Sequence, residues 1–398
     1  MNKIYRTTML NFLNDYPHIR LARQEDNEQL LSFVKKIKMV THQTILAHKR
    51  EPDFFAFSRL SGNPSLIFIM ENQDQSIGGY GMLTKKKVYI EGELKTVGYL
   101  TDIRISDSLH RKTRFEWRSL YHEMLRNKHL IEEIADCFCF YSIIMSDNQQ
   151  SLNAFTKGKR GVIYRNFCNF KSVNILFRYN IFKKINDLEI RENYFVNAAS
   201  EDDLPEIRNF LHSENKSKTF GYNFCADGED ELIKRFRNWD QFSISSFILV
   251  KDKSNKIVAC TAPQMFSSNK SLIIEKLNFK FRLLGLVTGM FGLPKLVKGE
   301  ELKICFLTHL EISSHLSFLI RKKIFLLIIE YWFRHKPPKA HHMLSFYDYQ
   351  YNDFSSMLKE YGYFHLVNDG SIYEVSPVED SLKPVIFSDR ISHEMALS

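Results

Sequence analysis

The two halves of this chain repeat each other, and this repetition limits the possible fold more than any other feature of the sequence. The segment HIRLARQEDNEQLLSFVKK at 18–36 and the segment YFVNAASEDDLPEIRNFLH at 194–212 share a short apolar run, acidic residues and then apolar residues at helical spacing. Ala22 and Ala199 align when the two segments are superposed. Both segments therefore predict a short strand that leads into a helix with an acidic first turn.

The repetition continues in the same order along both halves. Residues 65–86 and 245–266 each predict a β-hairpin, because a polar turn separates two apolar or alternating runs. The strands LTDIRIS (100–106) and LTHLEIS (307–313) then match in pattern, and a helix, a strand and a further helix follow each of them. We therefore predict a tandem duplication whose boundary lies near 180–192.

A concentration of positive charge marks the point where the first of these strands ends and the next helix begins. His110, Arg111, Lys112 and Arg114 lie together there. The free N–H groups at the start of a helix attract anions. Positive side chains oppose the helix dipole, at a cost of about 0.3–1 kcal/mol each, so either an anion offsets them or they form a solvated basic surface.

Net charge and cysteine content bear on the partners and the compartment. The formal charge of +9 suits partners that carry phosphate or carboxylate. The six cysteines are scattered, and only Cys137 and Cys139 are close, on one face of a predicted strand, which is typical of a reducing cytoplasm. Since we find no signal-peptide pattern and no apolar run of roughly 20 residues, we predict a cytoplasmic protein. The cysteines and histidines show no metal-ligand spacing, so we predict no bound metal.

In element order and short motifs the chain resembles the GCN5-related N-acetyltransferase (GNAT) superfamily, over roughly 18–170 and 194–376. NQQSLNAF (148–155) and SSMLKEYGYF (355–364) resemble a helix motif of that family. The resemblance implies an α/β fold of two tandem GNAT-like domains, each a mixed, mostly antiparallel twisted sheet flanked by helices. It also implies that acyl-CoA lies in a gap between two strands, with its pyrophosphate at a strand-to-helix loop.

The predicted domains are residues 1–180, which we expect to hold the cofactor site, and residues 190–398, which carry an insertion at 278–301. The family loop contains glycines where this chain has Thr113 and Phe115, so a pyrophosphate fits only if Phe115 points away. By the resemblance, acetyl-CoA or another acyl-CoA contacts Ile105, His110, Arg111, Lys112, Thr113, Arg114, Phe115 and Asn148.

Acyl transfer to an amine needs a base for the amine and an acid for the departing thiolate. Asp102 is the candidate general base, because the resemblance places a carboxylate at this position; the alternative is a structural carboxylate paired with Arg104 or with a helix N-terminus. At the position where the family commonly has a tyrosine that acts as the general acid, this chain has Phe155. Tyr164 is therefore the candidate general acid, with Tyr121 and water as alternatives.

The leading hypothesis is an acyl-CoA-dependent N-acyltransferase that transfers acetyl from acetyl-CoA to a small-molecule or peptide amine. Two alternatives stay open. The missing glycines favour a non-catalytic GNAT-like binding module, and the positive charge suits an aminoacyl-transferase with paired GNAT-like domains, although the dispersed basic residues argue against a nucleic-acid partner. The insertion 278–301 either packs on its own domain, covers an acyl chain or touches an anionic membrane surface.

Overall fold

The structure is a computed structural model, and it describes residues 6–40, 44–60, 65–156, 161–178, 188–225, 230–266, 270–278, 294–335, 341–380 and 387–398. The strands within these residues are β1 (Ile19–Leu21), β2 (Lys38–Val40), β3 (Thr44–Lys49), β4 (Ser65–Glu71), β5 (Ile77–Ile90), β6 (Glu93–Ile105), β7 (Cys137–Met145), β8 (Val162–Arg178), β9 (Tyr194–Ala198), β10 (Gly221–Tyr222), β11 (Ile248–Asp252), β12 (Ile257–Gln264), β13 (Ser271–Leu277), β14 (Ile304–Ile312), β15 (Met343–Tyr349) and β16 (Tyr363–Pro377). The helices are α1 (Met9–Phe12), α2 (Asn27–Lys36), α3 (Ala56–Leu60), α4 (Arg111–Arg126), α5 (Gln149–Thr156), α6 (Leu188–Asn193), α7 (Leu204–Lys216), α8 (Glu231–Asn238), α9 (Phe318–His335) and α10 (Ser355–Leu358).

One large sheet extends through both halves of the chain. Its strand order is β1-β4-β5-β6-β7-β16-β8-β15-β14-β12-β11-β9, and β10 pairs with β5. The neighbours are mostly antiparallel, but β6 with β7 and β14 with β15 are parallel. The prediction of a mixed, mostly antiparallel α/β fold with flanking helices is confirmed.

The two halves exchange their last long strands. The first half runs β1-β4-β5-β6-β7 and the second runs β9-β11-β12-β14-β15 from the opposite edge, so the element order matches. At the centre, however, β16 of the second half lies between β7 and β8, and β8 of the first half pairs with β15. The predicted domains 1–180 and 190–398 therefore share one continuous sheet. Residues 179–187, at their predicted boundary, lie outside the described part.

The acidic helix starts form for the same local reason in both halves. The Asp26 carboxylate accepts the backbone N–H of Arg23 at 2.7 Å, and the Asp203 carboxylate accepts that of Ser200 at 2.8 Å. Each carboxylate thus satisfies an N–H group at the start of a helical segment. A small second sheet, β13-β3-β2, joins strands from the two halves.

The last residues of the chain lie inside the fold, between strands of both halves. We call residues 387–398 the strap. The Oη of Tyr349 donates to the carbonyl of His393 at 2.8 Å, and that of Tyr351 donates to the carbonyl of Ile391 at 3.0 Å. Tyr349 at the end of β15 and Tyr351 in the turn that follows thereby fix the path of the strap.

Residues 279–293 of the predicted insertion 278–301 lie outside the described part, so its roles as lid or membrane contact stay predictions. Among the described helices, we find none that combines the length and the apolar character required to cross a bilayer.

Candidate active site

Each half contains a strand bulge at the same position. The register of β5 with β6 shifts around Asp102, and that of β12 with β14 shifts around His309. Both residues have a φ of 53°, a left-handed conformation that is uncommon for residues other than glycine. A bulge re-aims the side chain that it carries. The bulges thus place Asp102 and His309 in equivalent positions of LTDIRIS and LTHLEIS.

The parallel strands of the first half separate beyond their paired ends. Pairing of β6 with β7 ends at Tyr99 and Tyr141, although the strands run on to Ile105 and Met145 with β5 and β16 as partners. We call the opening between these diverging ends the first gap. Half-buried side chains of the two diverging ends are Thr101, Ile103, Ile105, Ser142, Ile143 and Met145.

A second gap opens at the matching place of the other half, and the strap occupies it. Pairing of β14 with β15 ends at Phe306 and Ser345. Residues Met395–Leu397 of the strap contact both strands. A cavity of about 50 Å³ remains, lined by both strands and by strap residues that include His393 and Glu394. The two gaps therefore differ in what fills them.

In the first half, the bulge residue Asp102 lies in a buried ion-pair cluster. Its carboxylate accepts hydrogen bonds from Arg50 at 2.6 Å, from Arg104 at 3.0 Å and from the Oη of Tyr80 at 3.0 Å. Burial alone would raise the pKa of Asp102, but the attraction of Arg50 and Arg104 outweighs it and holds the pKa well below its usual range. The pairing with Arg104 is the structural alternative that the sequence left open.

In the second half, the strap supplies the carboxylate that the bulge residue lacks. Arg235, whose side chain is 1% exposed, donates to the Nε2 of His309 at 2.9 Å and to Glu394 at 2.7 Å. The same carboxylate accepts the backbone N–H of His309 at 2.7 Å. The backbone donor of the second bulge is thus engaged by the protein's own side chain.

The sequence analysis missed three further titratable residues: His48 and Lys270 lie beside the first bulge, and Lys86 lies farther along β5, opposite Val97. The Nε2 of His48 accepts a hydrogen bond from Arg104 at 2.9 Å, and burial holds the pKa of His48 well below its usual range. Burial also lowers the pKa of Lys86 to about 8. Burial, followed by the nearby charge of Arg50, lowers the pKa of Lys270 to about 7. Lys86 falls on the same face of β5 as the buried Met82, Val88 and Ile90, which could have identified it as a buried lysine.

Several of the predicted cofactor-binding residues form hydrogen bonds within the loop before α4 and with its neighbours. The Arg114 guanidinium donates to the carbonyls of Leu109 and Asp107, each at 3.0 Å. Thr113 is fully buried, and its hydroxyl donates to the carbonyl of Glu71 at 2.8 Å. The Nδ1 of His110 accepts the N–H of Lys112 at 3.3 Å, so that His110 caps the helix. Arg114, Thr113 and His110 therefore shape the loop.

Other predicted contacts remain accessible near the open end of the first gap. Arg111 and Lys112 are exposed at the start of α4, and Ile105 ends β6. Phe115 is 71% exposed and points outward, so its ring does not block the start of α4 to a pyrophosphate. Asn148 precedes α5, and its Oδ1 accepts the N–H of Ser151 at 3.1 Å. The structure thus leaves Arg111 and Lys112 as the free cations of this predicted set.

Tyr164, the predicted general acid, lies in a different environment from Asp102. Its Oη is 2.6 Å from the Oη of Tyr121, a buried residue of α4. Burial raises the pKa of Tyr164 well above its usual range. Tyr164 packs against the hydrophobic cluster that contains Trp117 and Leu120. The structure does not place this hydroxyl among the groups that bind Asp102.

Comparison with known proteins gives fold-level matches. No protein-family model and no curated protein sequence matches the chain. N-myristoyltransferase of Saccharomyces cerevisiae with bound myristoyl-CoA superposes with a TM-score of 0.56 and 9% identity, covering 90% of this chain and 82% of the enzyme.

A further match is a fungal multi-domain β-N-acetylglucosaminidase that contains a GCN5-related glucosamine N-acetyltransferase region. The TM-score is 0.54 at 10% identity, over 89% of this chain but only 38% of that protein, so the chain spans well under half of its length. These matches confirm the resemblance drawn from the sequence. The chain has the fold of the GCN5-related N-acetyltransferases.

Proposed function

We propose that this protein is an acyl-CoA-dependent N-acyltransferase and that acyl-CoA binds in the first gap. The contrast between the two gaps carries the proposal. The diverging ends of β6 and β7 have half-buried apolar side chains, whereas the strap fills the matching opening between β14 and β15. The similarity in fold to N-myristoyltransferase, which was solved with bound myristoyl-CoA, supports an acyl-CoA ligand.

The start of α4 is the proposed site of the CoA pyrophosphate. This helix of 16 residues begins with the exposed Arg111 and Lys112. Both side chains oppose the helix dipole unless an anion lies between them and the free N–H groups. In the absence of loop glycines, these two cations replace the close approach of the backbone. Arg114 keeps the loop in shape through its bonds to Leu109 and Asp107.

The acceptor amine must lose a proton to a group whose pKa lies near the working pH. The arginines make Asp102, the base predicted from the sequence, a weak proton acceptor. We therefore assign to Asp102 the orientation of Arg50 and Arg104, and to Lys270 the acceptance of the proton. The Nζ of Lys270 donates to the carbonyl of Ser398 at 2.5 Å. Burial lowers the pKa of Lys270 to about 7, and Arg50 and Asp102 are close enough to act on it. In a pH profile, Lys270→Gln should remove the limb near pH 7.

Calorimetric titration of the full chain with CoA and acetyl-CoA tests the site. The double variant Arg111→Ala/Lys112→Ala should bind CoA about tenfold more weakly, or worse, because two charge-assisted contacts are lost. The matched control is Lys253→Ala/Lys256→Ala in the exposed turn between β11 and β12, which should bind as the unmodified chain does. If the unmodified chain fails to bind CoA, or both double variants weaken binding equally, the proposal is wrong.

Turnover separates the enzyme from a binding module. Sustained thiol release from acetyl-CoA in the presence of an amine supports the transferase, whereas binding without release supports the non-catalytic alternative. Binding of tRNA with a steep salt dependence would instead support the aminoacyl-transferase.

A further inference from the structure

We propose that the acceptor is a small primary amine with a branched apolar group, and that this group binds in a cavity beside Lys270, between β13, β14 and the strap. The inference rests on the proposed function, in which Lys270 accepts the proton of the acceptor, and it names the class of amine that the same site takes.

The cavity has a volume of about 60 Å³, and its wall is mainly apolar. Apolar side chains from four parts of the chain contribute to it: Phe57 of α3, Leu272 of β13, Ile304 and Phe306 of β14, and Met395 of the strap. All of these except Phe57 are half-buried, as expected of a wall that opens toward solvent. An apolar group that enters the cavity is therefore removed from water, which favours its binding.

Two charged residues, Lys270 and Glu301, also line the cavity. The Nζ of Lys270 lies 4.3 Å from the centroid of the Phe57 ring. Burial lowers the pKa of Lys270, so its neutral amine, with two N–H groups and one lone pair, is present near pH 7. The bond to the carbonyl of Ser398 uses one N–H group and leaves the lone pair for a proton. An amine that gives its proton to Lys270 therefore stands at the wall of this cavity.

The ring of Phe57 lies between this cavity and the side chains of the first gap. A second cavity, of about 10 Å³, is lined by Phe57, by Leu397 of the strap and by Thr101, one of the half-buried side chains of the first gap. Thr101 is adjacent to Asp102, which is close enough to Lys270 to act on its pKa. Lys270 thus lies between the bulge of the first gap and a cavity with room for the rest of the acceptor.

The volume of the cavity limits the apolar group to a few carbon atoms. A single water-sized probe occupies about 10–15 Å³, whereas a cavity known to bind benzene measures about 150 Å³. The space of about 60 Å³ beside Lys270 falls between the two. It therefore accepts a branched group of about four carbon atoms and is too small for a phenyl ring.

Steady-state thiol release from acetyl-CoA by the full chain, with methylamine, isobutylamine and phenethylamine as acceptors, tests the inference. Methylamine and isobutylamine are nearly equal in basicity, so a difference between them reports on the cavity. The kcat/KM of isobutylamine should exceed that of methylamine by about tenfold or more, because three further carbons are buried. Phenethylamine should not exceed methylamine, because its ring overfills the cavity.

Equal kcat/KM for methylamine and isobutylamine, or a preference for phenethylamine, would overturn the inference and leave the transferase intact. Absence of thiol release with all three amines, in a protein that binds CoA, would overturn it as well. If the protein does not bind CoA, the proposed function fails together with the inference.

Variants then assign the preference to the cavity. Ile304→Trp enlarges a side chain of the wall and should reduce the preference for isobutylamine over methylamine to about twofold or less. Leu319→Trp, at a 56% exposed position at the start of α9, is the matched control and should keep the preference. Leu272→Phe replaces Ile304→Trp if circular dichroism shows that the latter does not fold. If a folded variant of the wall retains the unmodified preference, the cavity does not select the amine.

Discussion

Asp102 and His309 lie at equivalent bulges with the same φ of 53°, and each binds a buried arginine. Arg50 donates to Asp102 at 2.6 Å, and Arg235 donates to His309 at 2.9 Å. A neutral imidazole cannot balance a guanidinium, so the negative charge comes from Glu394 of the strap at 2.7 Å and from Glu231 at 3.2 Å. The strap therefore completes the core of the second half.

Removal of the strap carboxylate should destabilise the fold. We expect Glu394→Ala to lower the free energy of unfolding by about 2 kcal/mol, because among the described carboxylates it leaves Arg235 with only the 3.2 Å contact to Glu231 and leaves the backbone N–H of His309 without its acceptor. Urea unfolding monitored by circular dichroism measures the change. Glu379→Ala, at a carboxylate that is 52% exposed, is the matched control and should change stability by less than about 0.5 kcal/mol.

The same prediction has a rescue experiment. Adding His309→Asp to Glu394→Ala gives the second bulge the carboxylate that the first bulge has, and should restore part of the lost stability. Equal losses for Glu394→Ala and Glu379→Ala would show that the strap ion pair contributes nothing.

Lys86 makes stability depend on pH. Its Nζ is buried, and burial lowers its pKa from 10.5 to about 8 in the folded chain. Between these values the unfolded chain binds more protons than the folded one, so stability rises as the pH increases from about 8 to about 10.5 and is lower and constant below that range. Lys86→Met should flatten this rise and stabilise the protein at pH 7 by on the order of 2 kcal/mol.

Denaturant unfolding between pH 7 and pH 10 measures both effects. Lys87→Met, the adjacent exposed position on β5, is the control and should keep the pH dependence. An unchanged slope in Lys86→Met would mean that Lys86 has an ordinary pKa in the folded state.

Elements that depend on local interactions were predictable from the sequence. The hairpin β4–β5 and the hairpin β11–β12 form around the polar turns that the pattern indicated, and Asp26 and Asp203 act at the predicted helix starts. The position of Asp102 on its strand and the cations at the start of α4 were also predictable, because each follows from a short segment.

Long-range features escaped the sequence analysis. The insertion of β16 between β7 and β8 depends on pairing across some 200 residues, which no local pattern records. The strap lies beyond the region that resembles the GNAT family, so no sequence motif indicated that it would occupy the second gap. Arg50 and Lys270 reach Asp102 only because β3 and β13 form a separate sheet.

Tyr164→Phe distinguishes a structural hydroxyl from a general acid. Because Tyr164 shares a buried hydrogen bond with Tyr121, we expect a loss of about 1 kcal/mol in stability and an unchanged kcat. Tyr121→Phe removes the other half of the same bond and should give the same result. A fall in kcat of about 100-fold or more in Tyr164→Phe alone would restore the role predicted from the sequence.

The strand exchange predicts that neither half folds by itself. Residues 1–187 expressed alone would leave β7 without β16 on one edge, and β8 without both of its neighbours, β16 and β15. Unpaired central strands expose backbone groups that must be satisfied, so we expect each separate half to lack a cooperative unfolding transition in circular dichroism. Co-expression of the two halves should restore the transition, since every strand then regains its partners. A full chain cut within 179–187 is the control, because it breaks one covalent connection and retains the whole sheet. Cooperative unfolding of residues 1–187 alone would instead show that the first half is an independent domain, as the duplicated sequence suggested.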